Sequence, residues 1–224
     1  MRSLFTIITL FCTFGALYGQ EGPKVVVFNE SEQTEPEVTA NNMVKISLLE
    51  PLSGDISLYY ERVLGQNVSG ELGLGFTIDD YFGSIIFDNG NSSFYDTRTP
   101  LIGYSFALGF RYYPFVAGDE FYFAPEIKYR YYHSQEIVGI GIDQQTLEES
   151  KTMFNGRITA GYNLFFDDKI FMDFYAGIGL AVFNYKEYEA IYNDVTFDYE
   201  YLLRETKRPS PWLTLGIKFG FGFN

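Results

Sequence analysis

One histidine stands in the whole chain, His133, with Ser134 beside it and Glu136 close by. A hydroxyl nucleophile, an imidazole base and a carboxylate are the parts of an acyl-transfer site. The spacing argues against one. Adjacent residues on a strand point to opposite faces, so Ser134 cannot share a face with His133. His133 reads as a histidine satisfied at the edge of a loop, and no catalytic residue is assigned. Metal chemistry is no better supported. Cys12 is the only cysteine and lies in the N-terminal segment, so one His without a Cys partner cannot build a zinc site. Asp79, Asp80 and Asp88, then Asp194, Asp198 and Glu200, place oxygen ligands in connecting stretches. Their spacing is not that of an EF-hand, and solvated loop charge is the better reading. Neither metal nor cofactor is expected.

A larger set of charged groups falls into a pattern. Lys45, Glu61, Glu71, Arg111, Glu126, Lys128, Arg130, Arg157, Asp173 and Lys218 all lie on the less apolar face of alternating segments. Four are acids and six are bases. Charges taken out of water must pair. The chemistry these residues predict is an ion-pair network, with packing as its purpose.

The elements that would hold them are strands. Pro211 to Phe223 reads PWLTLGIKFGFGF, with Leu213, Leu215, Ile217, Phe219, Phe221 and Phe223 on one face. The other face carries Trp212, Thr214, Lys218 and three glycines. That strict period of two defines a strand. Seven earlier segments alternate in the same way, at 43–50, 55–64, 68–78, 101–114, 120–133, 151–165 and 170–185. Pro125 interrupts the fifth and predicts a bulge or bend there. The intervening stretches 79–99, 134–150 and 186–210 read as long links, and 115–119 and 166–169 as short turns. An even number of strands with short turns at one end and long loops at the other is the layout of a membrane-spanning barrel.

Residues 1–19 read as a targeting segment, with Arg2 ahead of a short apolar run that is too short for a spanning helix. Residues 20–41 read as an acidic, flexible tail containing Val25–Phe28, and 42–224 as the barrel. A net charge of −13 argues against nucleic acid as a partner. Aromatics make up 19% of the chain, with 23 Phe, 19 Tyr and 22 Gly, a composition of strands rather than helices.

Alternation alone leaves open which face is outside. A soluble lipocalin-like barrel has the same period with the faces exchanged. Three features favour apolar side out. The other face is rich in glycine, which suits a crowded interior. It holds charges of both signs that can pair. Tyr60, Tyr104, Tyr112, Tyr129, Tyr131 and Tyr162 fall near strand ends, where a membrane interface favours amphipathic rings. The fold expected is an all-β, eight-stranded antiparallel up-and-down transmembrane β-barrel, with a bore that side chains fill.

The leader-like segment, the eight alternating strands and the aromatic closing strand resemble small Gram-negative outer-membrane barrels of the OmpX/OmpA/OmpW type. VKISLLEPLSGDISLYYERVLGQNVSGELGLGF, FAPEIKYRYY and WLTLGIKFGFGF resemble barrel proteins typical of Bacteroidota. The resemblance implies an outer-membrane location with both termini periplasmic. It makes the last strand, through Phe221 and Phe223, the signal read by the barrel-assembly machinery. Asn224 after the last Phe and Lys218 in place of a usual glycine depart from that pattern. It implies outer-membrane lipid and lipopolysaccharide as partners, the latter also reachable from loop carboxylates through divalent ions. In a bacterial protein the Asn-x-Ser triplets at Asn29, Asn67 and Asn91 are chance matches. The function expected is that of a non-enzymatic, monomeric barrel serving envelope integrity or surface interaction. The alternatives are a conduit for small hydrophobic molecules, with a pocket from Tyr122, Tyr132, Tyr175 and Phe183, a lipid-modifying enzyme, or a soluble periplasmic binder.

Overall fold

The computed structural model describes residues 40–79, 98–115, 117–118, 121–138, 145–166, 169–194 and 198–224. They form eight strands: β1 (Asn42–Ser47), β2 (Asp55–Val63), β3 (Val68–Thr77), β4 (Arg98–Tyr112), β5 (Phe121–Val138), β6 (Gln145–Phe165), β7 (Ile170–Asn193) and β8 (Asp198–Phe223). Each pairs antiparallel with its neighbour in sequence, and β1 pairs with β8 to close the ring. The expected up-and-down barrel is the fold. The targeting segment and the tail through residue 39, Val25–Phe28 included, lie outside the described residues. Ala40 is buried against Met43 and Phe171. The Asn41 N–H donates to the Asn224 side chain at 3.0 Å, tying the start of the barrel to its end.

The glycines of the inner face have a steric cause. Gly73 pairs with Tyr59, Gly161 with Tyr122, Gly216 with Tyr175 and Gly220 with Phe171. A Cβ at any of the four would run into the ring of its partner. Each aromatic side chain therefore lies across a glycine on the next strand, which is how eight strands can enclose so many large rings.

Four features differ from the sequence reading. The first strand stops at Ser47, and Glu50–Ser53 forms a 3-10 turn ended by Gly54 at φ 70°. Glu50 is thereby turned inward. Pro125 causes no bulge. It stays in register with Ile158, and the β4–β5 ladder merely lacks partners at Phe110 and Arg111 while keeping its register on both sides. The register shift falls instead between Leu101 and Tyr104.

The largest difference is in the supposed links. Residues 134–138 and 145–150 belong to β5 and β6, and 186–193 and 198–210 to β7 and β8. These hairpins project beyond the apolar part of the wall, where few side chains other than Leu147 and Glu149 are buried and alternation is hardly imposed. Cross-strand pairs hold them: Arg204 with Glu189 at 2.7 Å, Asn184 with Glu205 at 2.9 Å, and the rings of Tyr192 and Tyr199 with centroids 5.3 Å apart.

β8 outlasts β1. The β1–β8 pairing ends at Ser47 and Lys218, with one more bond from the Leu48 N–H to the Ile217 carbonyl at 2.8 Å. Odd-numbered β8 residues therefore turn their backbone groups toward the β1 side. No register shift intervenes up to Asp198, so Pro209 and Pro211 share that orientation. Two residues without an N–H occupy the open edge just beyond the end of β1, which blunts it against stray strand pairing.

Candidate functional site

The ten charged residues read from alternation are all buried within the ring. They divide into two clusters, each completed by groups the alternation did not supply. Toward the end holding the termini, Lys45 of β1 pairs with Glu61 of β2 and reaches Glu71 of β3 at 2.9 Å. Arg111 of β4 donates to Glu71 at 2.6 Å and to Asp173 of β7 at 2.7 Å. Lys218 of β8 donates to the other Glu71 oxygen at 2.6 Å. Tyr113 and Tyr122 donate to Glu61 and Asp173, each at 2.6 Å.

The second cluster lies nearer the 3-10 turn. Lys128 of β5 reaches Glu50 and Asp55, each at 2.7 Å. Arg130 donates to Asp55 at 2.6 Å, and Arg157 of β6 pairs with Glu126. Ser57 and Ser105 donate to Asp55 at 2.6 and 2.7 Å. Burial raises the Glu50 carboxyl pKa, but Lys128 and Arg130 more than offset that and hold it at about 2.

Tyr59 joins the two clusters. Its hydroxyl donates to Glu50 at 2.8 Å and accepts from Lys128 at 2.8 Å. The Lys218 ammonium sits 3.6 Å from the centre of its ring.

Glu50 and Asp55 are the acids missing from the sequence reading. With them the two clusters hold six acids and six bases among the described residues, three of each per cluster. Asp55 was within reach of the pattern, because it shares the parity of Ser57, Tyr59 and Glu61. Glu50 was not. Its parity is that of outward-facing Ile46 and Leu48, and only the 3-10 turn reverses it.

The outer wall is the complement. Leu58, Leu74, Phe106, Ile158, Ile178, Leu213 and Leu215 are exposed on it. Tyr60, Tyr112 and Tyr162 lie outward near the termini end, and Tyr104, Tyr129 and Tyr131 lie outward toward the other end. In that second group the Tyr104 ring is 6.0 Å from Tyr129 and 5.3 Å from Tyr131. Phe221 and Phe223 face outward at the end of β8, 47% and 40% exposed.

The remaining candidates are dispersed. His133 is outward on β5 with Glu148 at 3.8 Å, and Ser134 pairs with Glu149 on the opposite side of the sheet. Tyr122 and Tyr175 belong to one apolar cluster and Phe183 to another, while the Tyr132 hydroxyl donates to the Ser53 carbonyl at 3.1 Å. Asp79, Asp194 and Glu200 join no group of three metal-ligating side chains among the described residues. Asp80 and Asp88 lie outside them, as does the Asp198 side chain.

Topology and side-chain distribution together define a closed eight-stranded β-barrel with an apolar outer wall and a charged, filled interior. No family model and no curated protein matches the chain. Among solved structures it is similar to the N-terminal β-barrel domain of Pseudomonas aeruginosa OprF, at 14% identity over 82% of this chain and 98% of that one. The TM-score is 0.34, and the class assignment rests on the chain's own topology.

Proposed function

We propose that this chain is an integral barrel of a Gram-negative outer membrane, with both termini on the periplasmic side. The observation that carries the reading is the inversion of polarity across one wall. Within the apolar band of the wall the strands turn apolar side chains outward and keep their ionised groups inside, which suits lipid outside and would be unstable in water. A soluble ligand carrier needs the opposite arrangement. The two ion-paired clusters fill the bore, so the role proposed is non-enzymatic. The barrel anchors the β5–β6 and β7–β8 hairpins at the cell surface, for envelope integrity or for surface contacts. Outer-membrane lipid and lipopolysaccharide are the proposed surroundings, the exposed Phe221 and Phe223 the proposed contacts of the assembly machinery, and a monomer the proposed state.

Fractionation of cells tests this, with electrophoresis of unheated and heated samples. Extraction only with detergent, together with a mobility shift on heating, is the expected result. Recovery in the soluble periplasm would overturn the assignment of the two faces.

A further inference from the structure

The outer wall is not uniform. A groove of about 1080 Å³ crosses five strands, from β4 to β8. Its axis follows the paired row Leu108, Ile127, Gly156, Leu180 and Pro211. Phe154 and Val182 bound it on one side, Ile158 and Ile178 on the other. Gly156 at its middle has no side chain, and a Cβ there would meet nothing within 4 Å. Unlike the glycines of the inner face, this one leaves space that no ring fills.

The groove also has a direction. Pro211 is twelve residues from Phe223, the inner end of β8, whereas Leu108 is four from Tyr112, the inner end of β4. The groove therefore descends from the outer surface into the membrane as it passes from β8 to β4. Four strand spacings make it ~19 Å long, and with strands tilted ~40° it descends ~12 Å, within the ~15 Å of hydrocarbon in one leaflet. Beyond its upper end, on the same outward face of β8, stands Lys207. It is four residues, ~13 Å, past Pro211. Lys207 is exposed, pairs across the sheet with Asn184, and has no ion-pair partner among the described residues. Glu205 is the nearby acid on that face, opposite Lys186 and bonded to Asn184.

We propose that the groove seats one acyl chain of an outer-leaflet lipid whose phosphate is bound by Lys207. The proposal rests on the membrane reading above and adds a site to it. The occupant follows from three properties: an apolar groove in lipid contact, a slant that keeps a chain within one leaflet, and a cation where that chain's headgroup would emerge.

Trp212 is the only tryptophan, and its ring faces inward against Phe183, so the fluorescent reporter is placed in the groove by combining Trp212→Phe with Leu213→Trp, Leu213 being an exposed outward residue of the groove wall. The purified barrel is reconstituted in phosphatidylcholine vesicles doped with phosphatidic acid, with bromine on the acyl chains of one lipid or the other. Brominated phosphatidic acid is expected to quench the groove tryptophan preferentially, by about five-fold for one lysine at the surface. Lys207→Gln should remove that preference. Gly156→Leu, which fills open space, should weaken quenching by both lipids while the heat-dependent mobility shift is retained. Equal quenching of the reporter variant by the two lipids, or unchanged quenching when Gly156→Leu is added to it, would overturn the proposal. Failure of the protein to sediment with any vesicle would overturn the membrane reading itself, and the groove's occupant with it.

Discussion

Lys218 on the closing strand donates to Glu71 on the third strand at 2.6 Å, across 147 residues of chain. Both side chains are almost fully buried. By pattern alone Lys218 looks like an intruder among the glycines of β8. In the lumen it is one of three cations balancing Glu61, Glu71 and Asp173, and the Tyr59 ring lies under its ammonium. The bond links the last strand to the first half of the barrel.

Removing one partner leaves a buried charge without its counterion, which typically destabilises by about 3–5 kcal/mol. Lys218→Met is expected to lose stability on that scale, read as a lower urea midpoint for the detergent-folded barrel. Lys218→Met with Glu71→Gln should recover part of the loss. A double variant as unstable as the sum of the singles would mean that the two residues are not coupled.

Gly216 and Tyr175 test the packing of the inner face. Gly216→Ala places a methyl group against the Tyr175 ring. Overpacking of this kind costs about 1–3 kcal/mol, and the temperature of the gel mobility shift should fall. Tyr175→Leu in the same chain should relieve the collision. A Gly216→Ala variant as heat-resistant as the wild type would show that the ring can move aside.

Glu50, in the turn outside the strands, predicts an acid dependence. Its folded pKa is about 2 against an ordinary value of 4.5. The unfolded chain therefore binds a proton first as pH falls. The stability that Glu50 contributes is complete above pH 4.5 and is lost between there and about pH 2. Unfolding curves of the wild type and Glu50→Gln should differ most at neutral pH and converge over that window. Curves separated by the same amount at pH 6 and pH 2.5 would remove Glu50 as the source.

Pro209 and Pro211 bear on solubility rather than on the fold. Their replacement by valine restores N–H donors on the open edge of β8 at the two positions that lack them. The double variant is expected to keep its mobility shift yet to self-associate through that edge. Light scattering of the detergent-solubilised protein measures this, and an unchanged mass would show that the edge is protected by other means.

The sequence by itself determined the barrel. Strict alternation at Leu213–Phe223, Ile102–Tyr112 and Ile170–Val182 appears because each of these stretches separates an apolar surround from a charged interior. The same force placed Lys45, Arg111, Asp173 and their companions on one face, so their shared burial was legible in the order of residues alone. Where that force is absent, alternation was silent. Residues 186–193 and 199–210 are largely exposed on both faces, and only the ladder to the neighbouring strand makes them β. Glu50 was invisible for a different reason, since a turn reversed the direction its parity implied. Tertiary structure alone also decided the partners. Which acid meets which base depends on the stagger between strands, and neither Lys218 with Glu71 nor the empty row at Gly156 could be known until the ring had closed in that register.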